Sequence, residues 1–300
     1  MLRRGPDGSN NVRMLAMVLA LGLAGCISES DELDPVNDQG ERVSGATSSL
    51  NGFWSSPAGS SSNVRALIYN GIVYAFDDSN GYYGSTDLLS DGTAPTELFA
   101  YALNTASGIG PEVVADGAPS DYLWDVLLSG DNDVLFGPYS VNGVSQGNVR
   151  LEKDDTWGNQ APLRLLTSAG EWTNSSYALR FTSPAPKSEL VTFKAVAEPD
   201  SGCSFSGSLV LENGGRNNLY KVAISKRENC PAFNEPASGY AGFNADGDLE
   251  FYLGSTDTTS LLFFTFTPPA GTTQPPATEP PTDGEGDETQ TEEPDPDAEV

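Results

Sequence analysis

Asp131-Asn132-Asp133 and Asn244-Ala245-Asp246-Gly247-Asp248 are the places where this sequence gathers oxygen ligands as a calcium site requires. Neither completes an EF-hand or a repeated calcium loop, and hairpin turns select Asp, Asn and Gly for reasons of their own backbone. Acids abound elsewhere: 42 Asp and Glu stand against 15 Lys and Arg, a formal charge of −27, and histidine is absent. Without an imidazole there is no Ser-His-Asp or Cys-His nucleophilic system, no imidazole proton shuttle, and no zinc or iron site that needs His. A carboxylate pair can still hydrolyse a glycosidic bond, although in so acidic a chain any two neighbouring acids carry little information. Tyr82-Tyr83 and Phe53-Trp54 offer faces for stacking on sugars or peptides, or bulk for a core. Nucleic acid is disfavoured as a partner, because the acidity repels phosphate and no basic stripe interrupts it. No catalytic constellation, no cofactor and no metal site is expected.

The elements that must carry these residues begin with an export segment. Arg3, Arg4 and Arg13 precede the apolar run Met14 to Leu23. As a helix that run rises only about 15 Å, half of a ~30 Å hydrocarbon core, so it reads as a signal h-region and not as a membrane span. Arg3-Arg4 lies too far from the run for a twin-arginine signal. The segment ends in Leu23-Ala24-Gly25-Cys26, which resembles the lipobox of bacterial lipoproteins. The alternative is an ordinary export signal with an incidental cysteine. The resemblance implies that residues 1–25 are a signal peptide cut away before Cys26, and that Cys26 carries fatty acyl chains such as palmitate. Two or more chains anchor a protein to a membrane stably, where one is marginal. The position after the cysteine is Ile27 and not aspartate, which by the lipoprotein sorting pattern implies the outer membrane. With Cys26 taken by lipid, Cys203 and Cys230 remain as an even pair for a disulfide in an oxidising compartment. No Cys-x-x-Cys motif accompanies them to suggest redox chemistry.

Composition divides the remainder. Residues 26–48 are polar and acidic and read as a tether. Residues 268–300 are rich in Pro, Thr, Glu and Asp without a single base. Such a tail has too little apolar surface to offset the entropy of ordering, and disorder is expected there.

Between them the chain alternates with a period of two. Val64, Ala66 and Ile68 alternate with Arg65, Leu67 and Tyr69, then Asn70-Gly71 leads into Ile72–Phe76. Asn-Gly supplies the positive φ angles of a type I′ turn, so a hairpin is predicted. A second hairpin runs from Gly239–Phe243 through Asp246-Gly247 into Asp248–Leu253, with Leu249, Phe251 and Leu253 on one face and Asp248 and Glu250 on the other. The period continues through Cys203, Phe205, Leu209 and Leu211, and through Tyr220, Val222 and Ile224. Leu261–Phe264 is apolar on both faces, as a strand covered on each side would be. The one helical candidate is a turn at Pro162–Leu166. Runs of this kind give roughly fourteen to sixteen strands, at sandwich or barrel spacing. Gly52-Phe53-Trp54-Ser55 and Gly170-Glu171-Trp172-Thr173 hint at a duplication. The expected fold is all-β: two antiparallel barrel-like or sandwich-like modules in tandem, over 49–153 and 154–267, with one large sandwich as the alternative.

The stretch from Asp155–Leu163 into Leu166–Trp172, then Gly202–Leu209, Asn218–Val222, Cys230 and Gly239–Gly242, is similar to an ordered motif series in a group of uncharacterised proteobacterial β-rich envelope lipoproteins. The likeness covers about residues 154 to 267. It implies a small antiparallel barrel or sandwich on an exported lipoprotein, and it brings no biochemical activity. The function expected is a lipid-anchored, non-enzymatic structural or binding module of the envelope with a protein or glycan ligand. A carboxylate-dependent carbohydrate hydrolase and a calcium-dependent adhesin are the alternatives.

Overall fold

The computed structural model describes residues 47–61, 63–104, 112–159, 163–168, 170–182, 189–197, 202–230 and 232–271. Cys26 and the signal segment lie outside the described residues, as do the tether up to residue 46 and the tail from residue 272.

Sixteen strands follow one another. The first eight are β1 (Gly52–Ser55), β2 (Arg65–Tyr69), β3 (Ile72–Phe76), β4 (Asn80–Thr86), β5 (Thr93–Leu103), β6 (Glu112–Leu128), β7 (Val134–Val141) and β8 (Val144–Lys153). Each pairs antiparallel with the next, and β1 also pairs with β8 through Trp54↔Lys153 and Ser55↔Glu152. This closes an eight-stranded up-and-down barrel, which leaves no edge along the closed ring. The predicted hairpin between β2 and β3 turns on Asn70 (φ 49°) and Gly71 (φ 78°), the pair of positive angles a type I′ turn needs.

A short helix, α1 (Leu163–Ser168), leads into β9 (Glu171–Thr173), β10 (Tyr177–Thr182), β11 (Leu190–Ala197), β12 (Ser204–Leu211), β13 (Tyr220–Glu228), β14 (Ala237–Phe243), β15 (Leu249–Ser255) and β16 (Leu261–Phe266). These strands form a second antiparallel meander. Its two ends meet at Thr173 and Thr267, whose backbones exchange hydrogen bonds of 3.0 and 2.8 Å. The meanders share one continuous sheet, because Leu261–Phe264 of β16 pairs with Ala115–Glu112 at the start of β6. β6 runs for 17 residues and so serves both.

Alternation places one apolar set inside each meander. In the first barrel Trp54, Ala66, Ile68, Val73, Ala75, Leu98, Trp124, Val126 and Leu151 share a core. In the second Trp172, Leu179, Phe193, Phe205, Val222, Phe243, Phe251 and Phe264 do so. The two tryptophans of the suspected duplication take equivalent places. Trp54 sits on the first strand of its meander behind buried Leu50, and Trp172 on the first strand of its own behind buried Leu166 of α1. The helical turn expected near Leu163 and Leu166 is therefore present, and it places Leu166 against the second core.

A third cluster lies between the meanders and uses the opposite faces of the same strands. Phe53, Leu67, Tyr69, Ile72 and Tyr74 from β1–β3 meet Leu219, Tyr240, Tyr252, Leu261 and Phe263. Tyr69 and Tyr240 contact edge to face with centroids 5.2 Å apart. This junction explains why Leu261–Phe264 is apolar on both sides: Leu262 and Phe264 enter the second core, while Leu261 and Phe263 enter the junction. It also changes the reading of Glu250. The face of β15 that carries it is turned to the junction and not to solvent, and Glu250 is only 3% exposed.

Candidate functional site

Cys203 and Cys230 form a disulfide that ties the loop before β12 to the end of β13. The pairing inferred from the sequence is present. The acid clusters are turns. The Asn244 carboxamide oxygen accepts the N–H groups of Asp246 and Asp248, at 3.0 and 2.9 Å, so it organises the β14–β15 turn. The Asp133 carboxylate accepts from the Ser129 hydroxyl at 2.7 Å within the β6–β7 turn. Among the described residues no group of three or more Asp, Glu, Cys or His side chains stands together as a metal site would require. Of the aromatics considered for stacking, Phe53, Trp54 and Tyr82 are buried, and Tyr83 packs edge to face against Tyr74 with centroids 5.0 Å apart.

Glu250 is the buried acid at the junction. Its Oε1 accepts from Asn244 Nδ2 at 2.9 Å and pairs with Arg65 of β2, while Oε2 accepts from the Tyr252 hydroxyl at 2.7 Å. Burial pushes the carboxyl above its ordinary value, against the opposing pull of Arg65, Tyr252 and Asn244. A carboxyl raised in this way suits a general acid, yet both oxygens are engaged by donors of the protein and the residue is closed off from solvent. Its geometry fastens the meanders together.

A group of exposed apolar side chains lies on the outer wall of the first barrel. Phe99 of β5, Leu123 and Leu127 of β6, and Phe136 of β7 are between 43% and 54% exposed. The register makes them one face. Leu127 stands directly opposite Phe136, and Leu123 stands diagonal to Phe99, whose own partner is Asp121. Large apolar side chains gathered on an exposed wall mark an interaction surface, where scattered ones would not. The wall is also indented. A groove of about 340 Å³ crosses β4 to β7, and Ser85, Glu97, Phe99, Asp121, Leu123 and Ser140 contribute to its lining. Gly84 of β4 and Gly143 of the β7–β8 turn border it with backbone alone. Gly84 is required there, since a Cβ would run into the Glu97 carbonyl oxygen where β4 and β5 approach. The volume lies at the lower end for ligand sites.

Three carboxylates share this wall. Glu97 pairs across to Leu123, Asp121 to Phe99, and Asp125 stands between Leu123 and Leu127 on the same side of β6. None of the three has an ion-pair partner among the described residues. A second groove, of about 320 Å³, lies on β9–β11 among Glu171, Arg180 and Lys194. It is the more polar of the two, and Glu171 and Arg180 already pair across it at 2.6 Å.

The apolar wall is not evident from the sequence alone. The signal was present in Tyr122–Leu128, where Tyr122, Trp124 and Val126 alternate with Leu123, Asp125 and Leu127. Both registers look half apolar, so alternation alone does not say which set faces out. No protein-family model and no curated protein matches this chain.

Proposed function

We propose that the protein is a lipid-anchored, non-enzymatic binding module of the bacterial envelope, akin to β-rich lipoproteins, that offers the outer wall of its first barrel to a ligand. The observation that carries the binding reading is the indented apolar wall formed by Phe99, Leu123, Leu127 and Phe136. An exposed patch of this kind costs solubility unless something covers it. The anchor rests on Leu23-Ala24-Gly25-Cys26 behind a short apolar run. Acyl chains on Cys26 would hold the module at the outer membrane, and the acidic residues 27–48 would space it from the lipid surface.

Membrane fractionation after Cys26→Ala tests the anchor. The parent is expected in the membrane fraction and the variant in the soluble one, with loss of metabolic labelling by a fatty acid. Equal membrane retention of the two would overturn it.

A further inference from the structure

We infer that the groove on β4–β7 takes a polypeptide segment carrying lysine or arginine beside large apolar side chains, an inference that rests on the binding-module reading above. The apolar component is the wall itself. Leu123, Asp125 and Leu127 lie on one side of a strand that rises about 3.3 Å per residue, so apolar, acidic and apolar positions recur about every 7 Å. Glu97 and Asp121 place two more carboxylates in the groove, directly across from Leu123 and Phe99.

The first barrel holds nothing of its own to neutralise these acids. Between residues 47 and 159 the bases are Arg65, Arg150 and Lys153, and all three are engaged. Arg65 pairs with buried Glu250, and Arg150 pairs with Glu152 at 3.0 Å. Lys153 donates to the Ser49 carbonyl at 2.9 Å and lies over the Trp54 ring. An occupant must therefore supply the positive charge.

The same charge argument sets aside the other candidates. A second copy docked face to face would oppose Glu97, Asp121 and Asp125 with their own equivalents. The acidic segments 27–48 and 272–300 of this chain and an anionic lipid surface would meet the same repulsion. A polycation without apolar groups would leave Phe99 and Leu123 uncovered.

The test uses the full chain carrying Cys26→Ala, which removes lipid from the assay whether or not the anchor reading holds. Its binding to a short synthetic peptide alternating leucine and lysine is followed by fluorescence anisotropy at about 0.15 M salt, where charges more than ~8 Å apart are largely screened. A lysine-only peptide of equal charge reports charge attraction without apolar contact, and a leucine–glutamate peptide reports apolar binding without positive charge. Leu123→Ser and Phe99→Ser are each expected to weaken leucine–lysine binding by about tenfold, as loss of an anchor residue does. The lysine-only signal should not change. Glu97→Gln with Asp121→Asn is expected to weaken leucine–lysine binding and reduce its salt dependence. These side chains are exposed, so unchanged melting temperatures would show that the variants remain folded.

Equal leucine–lysine binding by parent and variants would overturn the proposal. Leu123-dependent binding of the leucine–glutamate peptide, or Leu123-dependent self-association, would overturn the cationic partner while leaving the binding-module reading in place. Absence of binding to all three peptides, with no self-association, would count against both.

Discussion

Arg227 of β13 and Glu112 of β6 form a buried ion pair that links the second meander to the first, with Nη2 2.6 Å from Oε1. Arg227 has no exposed side-chain surface and Glu112 has 10%. The same Nη2 donates to the Tyr177 hydroxyl at 2.8 Å, and the guanidinium lies over the rings of Tyr177, Phe205 and Phe264. A planar, permanently charged guanidinium tolerates such a site better than an ammonium would, because it stacks on aromatic faces and is more weakly hydrated.

Removing one partner strands the other as a buried charge. Glu112→Ala is expected to cost about 3–5 kcal/mol, read as a lower midpoint in urea unfolding. Replacing both groups by apolar residues, Glu112→Leu with Arg227→Met, should recover most of that loss. A double variant as unstable as the single would show that the pair is not the source of the cost.

Glu250 makes the junction sensitive to pH. Burial raises its folded-state value above the ordinary 4.5, so the folded protein holds this proton more tightly than the unfolded chain does. The contribution is complete below the unfolded value and is lost as pH rises through the folded one. Glu250→Gln carries no such term. Its stability relative to the parent is therefore expected to climb as pH rises above the ordinary value of 4.5 in paired urea titrations; a flat difference would mean that Arg65 cancels the effect of burial.

The Cys203–Cys230 bond closes a loop with a sequence separation of 27 residues. In the loop-entropy account a closure of this length contributes roughly 3–4 kcal/mol. Cys203→Ala with Cys230→Ala should lower stability by that amount. Reductant should then destabilise the parent but not the double variant, as followed by tryptophan fluorescence.

Gly242 of β14 lies beneath the Phe53 ring of β1 at the junction, and a Cβ there would meet both that ring and the Asn218 carbonyl oxygen. Gly242→Ala is expected to destabilise by about 1–3 kcal/mol through overpacking. Gly130→Ala makes the control, because a Cβ at Gly130 meets nothing within 4 Å, and its effect should stay within about 0.5 kcal/mol. Equal effects of the two would mean that the junction relaxes around the added methyl.

Much of this architecture was legible in the sequence, because strand alternation and turn chemistry are local. Asn70-Gly71 specified its hairpin through two positive φ angles, and Leu249, Phe251 and Leu253 announced one inward face. The all-β class and the strand count near sixteen followed from the same short-range signals, and the cysteine pair from the cysteine count. Alternation separates two faces of a strand, but it does not say what covers either one. Leu67 and Tyr69 alternate with Ala66 and Ile68, and the second meander buries them. Phe99 and Leu123 carry equally apolar side chains, and nothing in the described chain packs over that wall. Glu250 lies on the strand face opposite Leu249, Phe251 and Leu253, and only the tertiary structure brings Arg65 of β2 to it across 185 residues of sequence. The chain by itself determined strands, turns and the acidity at both ends, since those depend on neighbours along the backbone. Which sheet faces meet, which acids are buried, and which apolar wall stays open were decided by the closure of β1 on β8 and the pairing of β16 with β6. Those contacts join residues far apart in the chain, and no short-range pattern encodes them.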